Sequence, residues 1–139
     1  MGLMRISEFF ERYEWSCEEV EPGIWRAVFA DEREAEYDLF VAVAEDWLHF
    51  AVSPLTPRPQ VECLGSLHET LLRLNQGLRL VRLAIDDEGD VALLADLPLA
   101  DLRYAHFAAA LDALTGYTRH LAGELGRTAT QPGYHSPLF

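Results

Sequence analysis

Residues 71–99 read LLRLNQGLRLVRLAIDDEGDVALLADLPL: the end of a helix, an apolar strand, an acidic turn, a second strand and a Leu-Pro-Leu lead into another helix. Leu64, Leu67, Leu71 and Leu74 recur at helical spacing, which predicts a helix over 63–76 with Gly77 as its C-cap. Residues 78–85 and 91–95 read as the arms of a hairpin, with Gly89 supplying the special backbone angle of the turn 86–90. A short hairpin set between two helices argues for an antiparallel sheet covered by helices, the α+β class.

Downstream, Asp101 is placed to cap a long helix from Leu102 to about Leu125, with Phe107, Leu111, Leu114, Tyr117, Leu121 and Leu125 along its apolar side. Residues 126–139 contain Pro132, Gly133 and Pro137 without periodicity, so they read as a flexible C-terminal tail after a domain spanning 1–125. The tail ends in Tyr134 and Leu138-Phe139, side chains suited to dock on a neighbour.

Upstream, Leu3, Ile6, Phe10 and Tyr13 predict an amphipathic helix over 3–13. The period then changes. Trp15–Val20 suggests an edge strand, Glu21-Pro22-Gly23 a turn, and Trp25–Ala30 a second strand. Tyr37–Ala44 and Trp47–Ser53 form a hairpin about Glu45-Asp46, and Pro54, Pro57 and Pro59 close the meander. Nearly every position of Leu39–Ala44 is apolar, which predicts cover on both faces: a helix on one side and a subunit partner on the other. The expected fold class is α+β, in the order α-β-β-β(-β)-α-β-β-α, with the helices on one face of the sheet.

The chain has 139 residues, 11 arginines, no lysine, 23 acids and a formal charge of −12. Residues 1–46 hold thirteen acids against four arginines, so the negative field is concentrated there. Such a field repels a phosphate backbone and argues against direct nucleic-acid binding. It either keeps a small domain soluble or suits a basic or amphipathic protein partner. No run reaches the length of a membrane span, and acids interrupt the N-terminus where a secretion signal needs an apolar core, so the chain reads as cytoplasmic and unprocessed.

At 71–99 the order helix, Leu74-Asn75, strand, Asp86 to Gly89, strand, Asp96-Leu97-Pro98 resembles the YbjN-like family. The element order over residues 3–125 is similar to the type III secretion chaperone-like fold. The resemblance implies a bacterial, acidic, cytoplasmic, commonly homodimeric module that binds proteins and has no cofactor. YbjN-like proteins are connected with stress response and regulation, the secretion chaperones with holding extended client segments on apolar patches.

No residues carry recognisable catalytic chemistry. His49, His68, His106, His120 and His135 form no metal-ligand spacing, and Cys17 and Cys63 read as buried or half-buried thiols. The loop 86–90 lacks the spaced ligands of a calcium site. Asp31, Glu32, Glu34, Glu36 and Asp38 read as a solvated face, with recognition of a basic partner as the alternative. Ser53 and Ser66 have no nucleophile setting, so no enzyme, cofactor or metal is expected. The candidate protein-binding residues are Trp25, Phe40, Trp47, Phe50, Leu72 and Arg73. The leading function is a chaperone-like adaptor. The alternatives are a regulatory subunit of a nucleic-acid-processing protein and a small-molecule enzyme.

Overall fold

The computed structural model describes residues 4–138. Leu3 and Phe139, which the sequence reading placed on the first helix and in the docking tail, lie outside the described residues. The elements are α1 (Met4–Arg12), β1 (Glu18–Glu21), β2 (Ile24–Ala30), β3 (Glu36–Ala44), β4 (Trp47–Val52), a 3-10 turn (Val61–Cys63), α2 (Leu64–Asn75), β5 (Arg82–Ile85), β6 (Val91–Pro98) and α3 (Tyr104–Thr130). The six strands form one antiparallel sheet in the order β1-β2-β3-β4-β6-β5. This is the α+β fold expected, with all three helices packed on one face.

The period of two along each strand sorts the side chains. Trp25, Ala27, Phe29, Leu39, Val41, Leu48, Phe50, Val52, Leu93 and Ala95 point to the helices and are buried. Above them the α3 stripe of Phe107, Leu111, Leu114, Leu121 and Leu125 is buried as well, while Tyr117 is only partly so. Phe107 is the hub. Its ring lies 5.4 Å from Phe9 and 5.1 Å from Phe10 of α1, and 5.7 Å from Phe50 of β4. The thiols follow expectation, with Cys63 buried and Cys17 half-buried.

Several local readings change. The edge strand β1 begins at Glu18, and Trp15 leaves the ladder to stack on Phe29 at 5.5 Å. Gly77 does not take a left-handed angle. Gln76 is the C-cap of α2, the Gly77 N–H bonds the Leu74 carbonyl, and Leu80 carries the positive φ of 69°. Asp101 also has a positive φ, 57°, and does not cap α3, whose N-cap is Arg103.

The last helix continues past Leu125 to Thr130, so residues 126–130 are not a loose tail. Gly126 lies within the helix, where a Cβ would be in ordinary contact with Pro57. Thr128 and Ala129 are buried, the Thr128 hydroxyl donates to the Glu124 carbonyl, and Gln60 N–H donates to the Ala129 carbonyl. Beyond the helix, Tyr134 donates to the Glu124 carboxylate and Leu138 packs on the core.

The two sheet edges are managed differently. On β5, the Asn75 side chain takes the place of a neighbouring strand. Its amide donates to the Leu83 carbonyl at 3.0 Å, and its oxygen accepts the Leu83 N–H at 2.7 Å. On β1, Glu18, Glu19 and Glu21 are all exposed and line an acidic edge, a pattern that discourages unwanted pairing. Replacing Asn75 by Ala orphans a strand donor and acceptor in a half-buried setting, so we expect a loss of about 1–3 kcal/mol in urea unfolding, with faster amide exchange at Leu83. Unchanged stability and exchange would show that the bonds contribute nothing.

Candidate protein-binding surface

The one-sided helix layer leaves the opposite sheet face without cover among the described residues. Ladder register defines what it presents. One row runs Glu18, Arg26, Phe40, Ala51, Leu94, Arg82 from edge to edge; the next runs Glu21, Ile24, Ala42, His49, Asp96. Trp47, between Ala44 and Pro98, closes one end, and Val28 lies toward the other. Phe40, Ala42, Ala51 and Leu94 are half-buried, and Trp47 and Val28 are each 45% exposed.

Two charged groups punctuate this apolar field. Arg26 Nη2 pairs with Asp38 at 2.8 Å. Asp96 accepts from His49 Nδ1 at 2.5 Å and pairs with Arg82 at 2.8 Å. Burial pushes the Asp96 carboxyl up, but the bonds from His49 and Arg82 outweigh it and hold the group below its ordinary range. These charges are paired within the sheet, while Glu18 and Glu21 stand exposed at the β1 end of the same rows.

A second surface lies on the helix side. A groove of roughly 290 Å³ runs between α2 and β5, lined by His68, Leu71, Leu72, Asn75, Leu83 and Ile85. Leu72 is 72% exposed and Ile85 is 40% exposed, and both line this groove. Arg73 is exposed beside them and pairs with Glu69 at 3.2 Å.

Of the six residues singled out from sequence, Phe40 and Trp47 share the open sheet face, and Leu72 and Arg73 share the outer side of α2. Trp25 and Phe50 are corrected: each is only 1% exposed and belongs to the interior. The Trp25 indole N–H donates to the Ser7 hydroxyl at 3.1 Å, and Phe50 joins the Phe107 cluster. Their strands alternate, and their parity points them to the helices. Sequence reasoning missed Ala51, Leu94 and Ile85, although the register of the β3–β4 hairpin counted from Phe40 identifies Ala51; Leu94 depends on the β4–β6 pairing, which no hairpin fixes.

Among the described residues no group of three or more His, Cys, Asp or Glu side chains is arranged to hold a metal ion. No described helix is long and apolar enough to cross a membrane. Because the folded-state Asp96 carboxyl is depressed, its stabilising contribution is present above the unfolded value near pH 4 and is lost as pH falls through the folded value. Unfolding curves of the parent and Asp96→Asn should therefore differ at pH 6 and converge toward pH 2.5; a constant difference over that range would contradict the assignment.

Comparison with known proteins places this architecture. Residues 3–119 match the model of the YbjN family, described as "Putative bacterial sensory transduction regulator". No curated protein matches the chain. Among solved structures, YbjN from E. coli is 13% identical with a TM-score of 0.64, covering 88% of this chain and 92% of that one. A chain of the heterodimeric ExoU-SpcU complex of the Pseudomonas aeruginosa type III secretion system is 21% identical with a TM-score of 0.61, covering 85% and 95%. A chain of the HopA1-SchA chaperone-effector complex is 16% identical, also at 0.61, covering 87% and 94%. At these identities the likeness to solved structures shows the fold alone.

Proposed function

The chain belongs to the YbjN family, and from that premise we propose that it is a non-enzymatic, protein-binding adaptor of the chaperone-like kind. The observation that carries this reading is the open sheet face: a six-stranded sheet with Phe40, Ala42, Ala51, Leu94 and Trp47 on the side away from every described helix. An apolar strip across the central strands, bordered by charged pairs, is a polypeptide contact more readily than a substrate pocket. The α2–β5 groove supplies a second, separate contact. Two surfaces on opposite sides let the molecule form a homodimer and still hold a partner.

The relatives support the same reading. Chaperone-effector assemblies are among the structures that share the fold, and the family description concerns regulation rather than catalysis. A cytoplasmic setting, a role in regulation or stress response, and the absence of a cofactor belong to this proposal. The acidic N-terminal third favours a partner with basic or amphipathic character over a nucleic acid.

Affinity capture with the full chain, followed by crosslink mapping, tests the reading. We expect a specific protein crosslinked along α2 and β5, and recovery reduced about tenfold or more by Leu72→Asp, a charge in an apolar contact, with the circular dichroism unchanged. A chain that retains no protein would overturn the adaptor reading, and one that retains the same set equally with and without Leu72→Asp, with crosslinks elsewhere, would overturn the groove assignment.

A further inference from the structure

The turn from β2 into β3 carries one cation, Arg33, among acids. Asp31 does not hold it closely. The Asp31 carboxylate is taken by the Arg33 and Ala35 N–H groups at 2.9 and 3.0 Å and by the Tyr37 hydroxyl at 3.2 Å, while Arg33 Nη2 stands 3.7 Å away. Among the described residues the Arg33 guanidinium donates no hydrogen bond. It lies against α3 instead. A Cβ at Gly123 would sit 2.6 Å from Nη2 and 3.3 Å from Cζ, whereas a Cβ at Gly116 would meet nothing within 4 Å. Glycine inside a helix costs stability relative to alanine, and here it leaves a bare seat for the guanidinium.

Arg33 and Gly123 line a cavity of roughly 500 Å³ between the β2–β3 turn, the chain after β4 and the C-terminal half of α3. Arg127, four residues beyond Gly123 and so one turn further along the same helix face, lines it too. Glu124 accepts one Arg127 donor, from Nη1 at 3.2 Å, and a guanidinium has five. Leu55 and Pro57 give the cavity an apolar side. Glu36 is the one carboxylate among its described lining residues. Two arginines against one glutamate leave a single net positive charge around this space, in a chain whose formal charge is −12.

We propose that this cavity binds a small organic monocarboxylate, with its carboxylate between Arg33 and Arg127 and its apolar body against Leu55 and Pro57. The planar fork of a guanidinium matches the two oxygens of a carboxylate, and the unbonded Arg33 group has its donors free for one. The charge balance selects a monoanion. A phosphate dianion would bring a surplus negative charge beside Glu36. The apolar side favours a hydrocarbon body over an inorganic ion, and the volume falls within the range of small-molecule sites. The cavity shares no residue with the open sheet face or the α2–β5 groove, so the proposal does not rest on the adaptor reading.

NMR titration of the full chain with hexanoate, read at the arginine Nε–Hε signals, tests the site. The Arg33 and Arg127 signals should shift together and saturate, with hexan-1-ol and inorganic phosphate each binding about tenfold more weakly or worse. Arg33→Gln should raise the hexanoate Kd about tenfold or more, with the circular dichroism unchanged. Gly123→Ala keeps every charge and is the sharper variant. It should raise Tm by about 2–5 °C, as alanine does for glycine in a helix, yet raise the hexanoate Kd about threefold or more by pushing the guanidinium off its seat. Hexanoate that shifts neither arginine, hexan-1-ol or phosphate that binds as tightly as hexanoate, or a Kd unmoved by either substitution would each overturn the proposal. Protein capture along α2 and β5 is measured independently, so the adaptor function and this site fail separately.

Discussion

Phe107 of α3 packs against Phe9 and Phe10 of α1 and against Phe50 of the sheet, and this ring cluster draws the helix layer onto one side of the strands. Large rings in contact bury more apolar area per residue than any other choice and add a geometric preference of their own. Once Phe50 is committed to that side, strand parity sends His49 and Ala51 to the other. The same parity then fixes the outward set on β3 and β6 through the ladder register. The bare face is thus a consequence of the core and not an independent feature.

The sheet edges complete the logic. A six-stranded open sheet has two edges that invite pairing with foreign strands. Asn75 closes one by hydrogen-bonding the Leu83 backbone, which gives the Leu74-Asn75 element at the end of α2 a physical purpose. Three glutamates mark the other. With one edge plugged and one charged, the outward face and the α2–β5 groove are apolar surfaces open to polypeptide contact.

Most of this architecture was legible in the sequence. Helical stripes, hairpin turns and the acidic loop before Gly89 identify the elements in order, because each rests on local periodicity or local turn chemistry. The errors arose where a tertiary contact overrides a local rule. Residues 126–130 read as the start of a loose tail for want of periodicity, but burial of Thr128 and Ala129 and the bond from Gln60 N–H to the Ala129 carbonyl carry α3 to Thr130. Trp25 and Phe50 read as contact residues because aromatics favour interfaces, yet the face they occupy is decided by register across strands far apart in sequence. Leu39–Ala44 was the most telling stretch. Its continuous apolarity demands cover on two sides, and the fold supplies only one of them.

The central claim is that polypeptide covers the second side in solution. Hydroxyl-radical footprinting of the full chain across a dilution series measures that cover residue by residue. The account predicts that Phe40, Trp47 and His49 lose reactivity together as concentration rises, while Leu72, on the helix side, stays reactive. Equal reactivity of Phe40, Trp47 and His49 at every concentration, and in the presence of a captured partner, would contradict it.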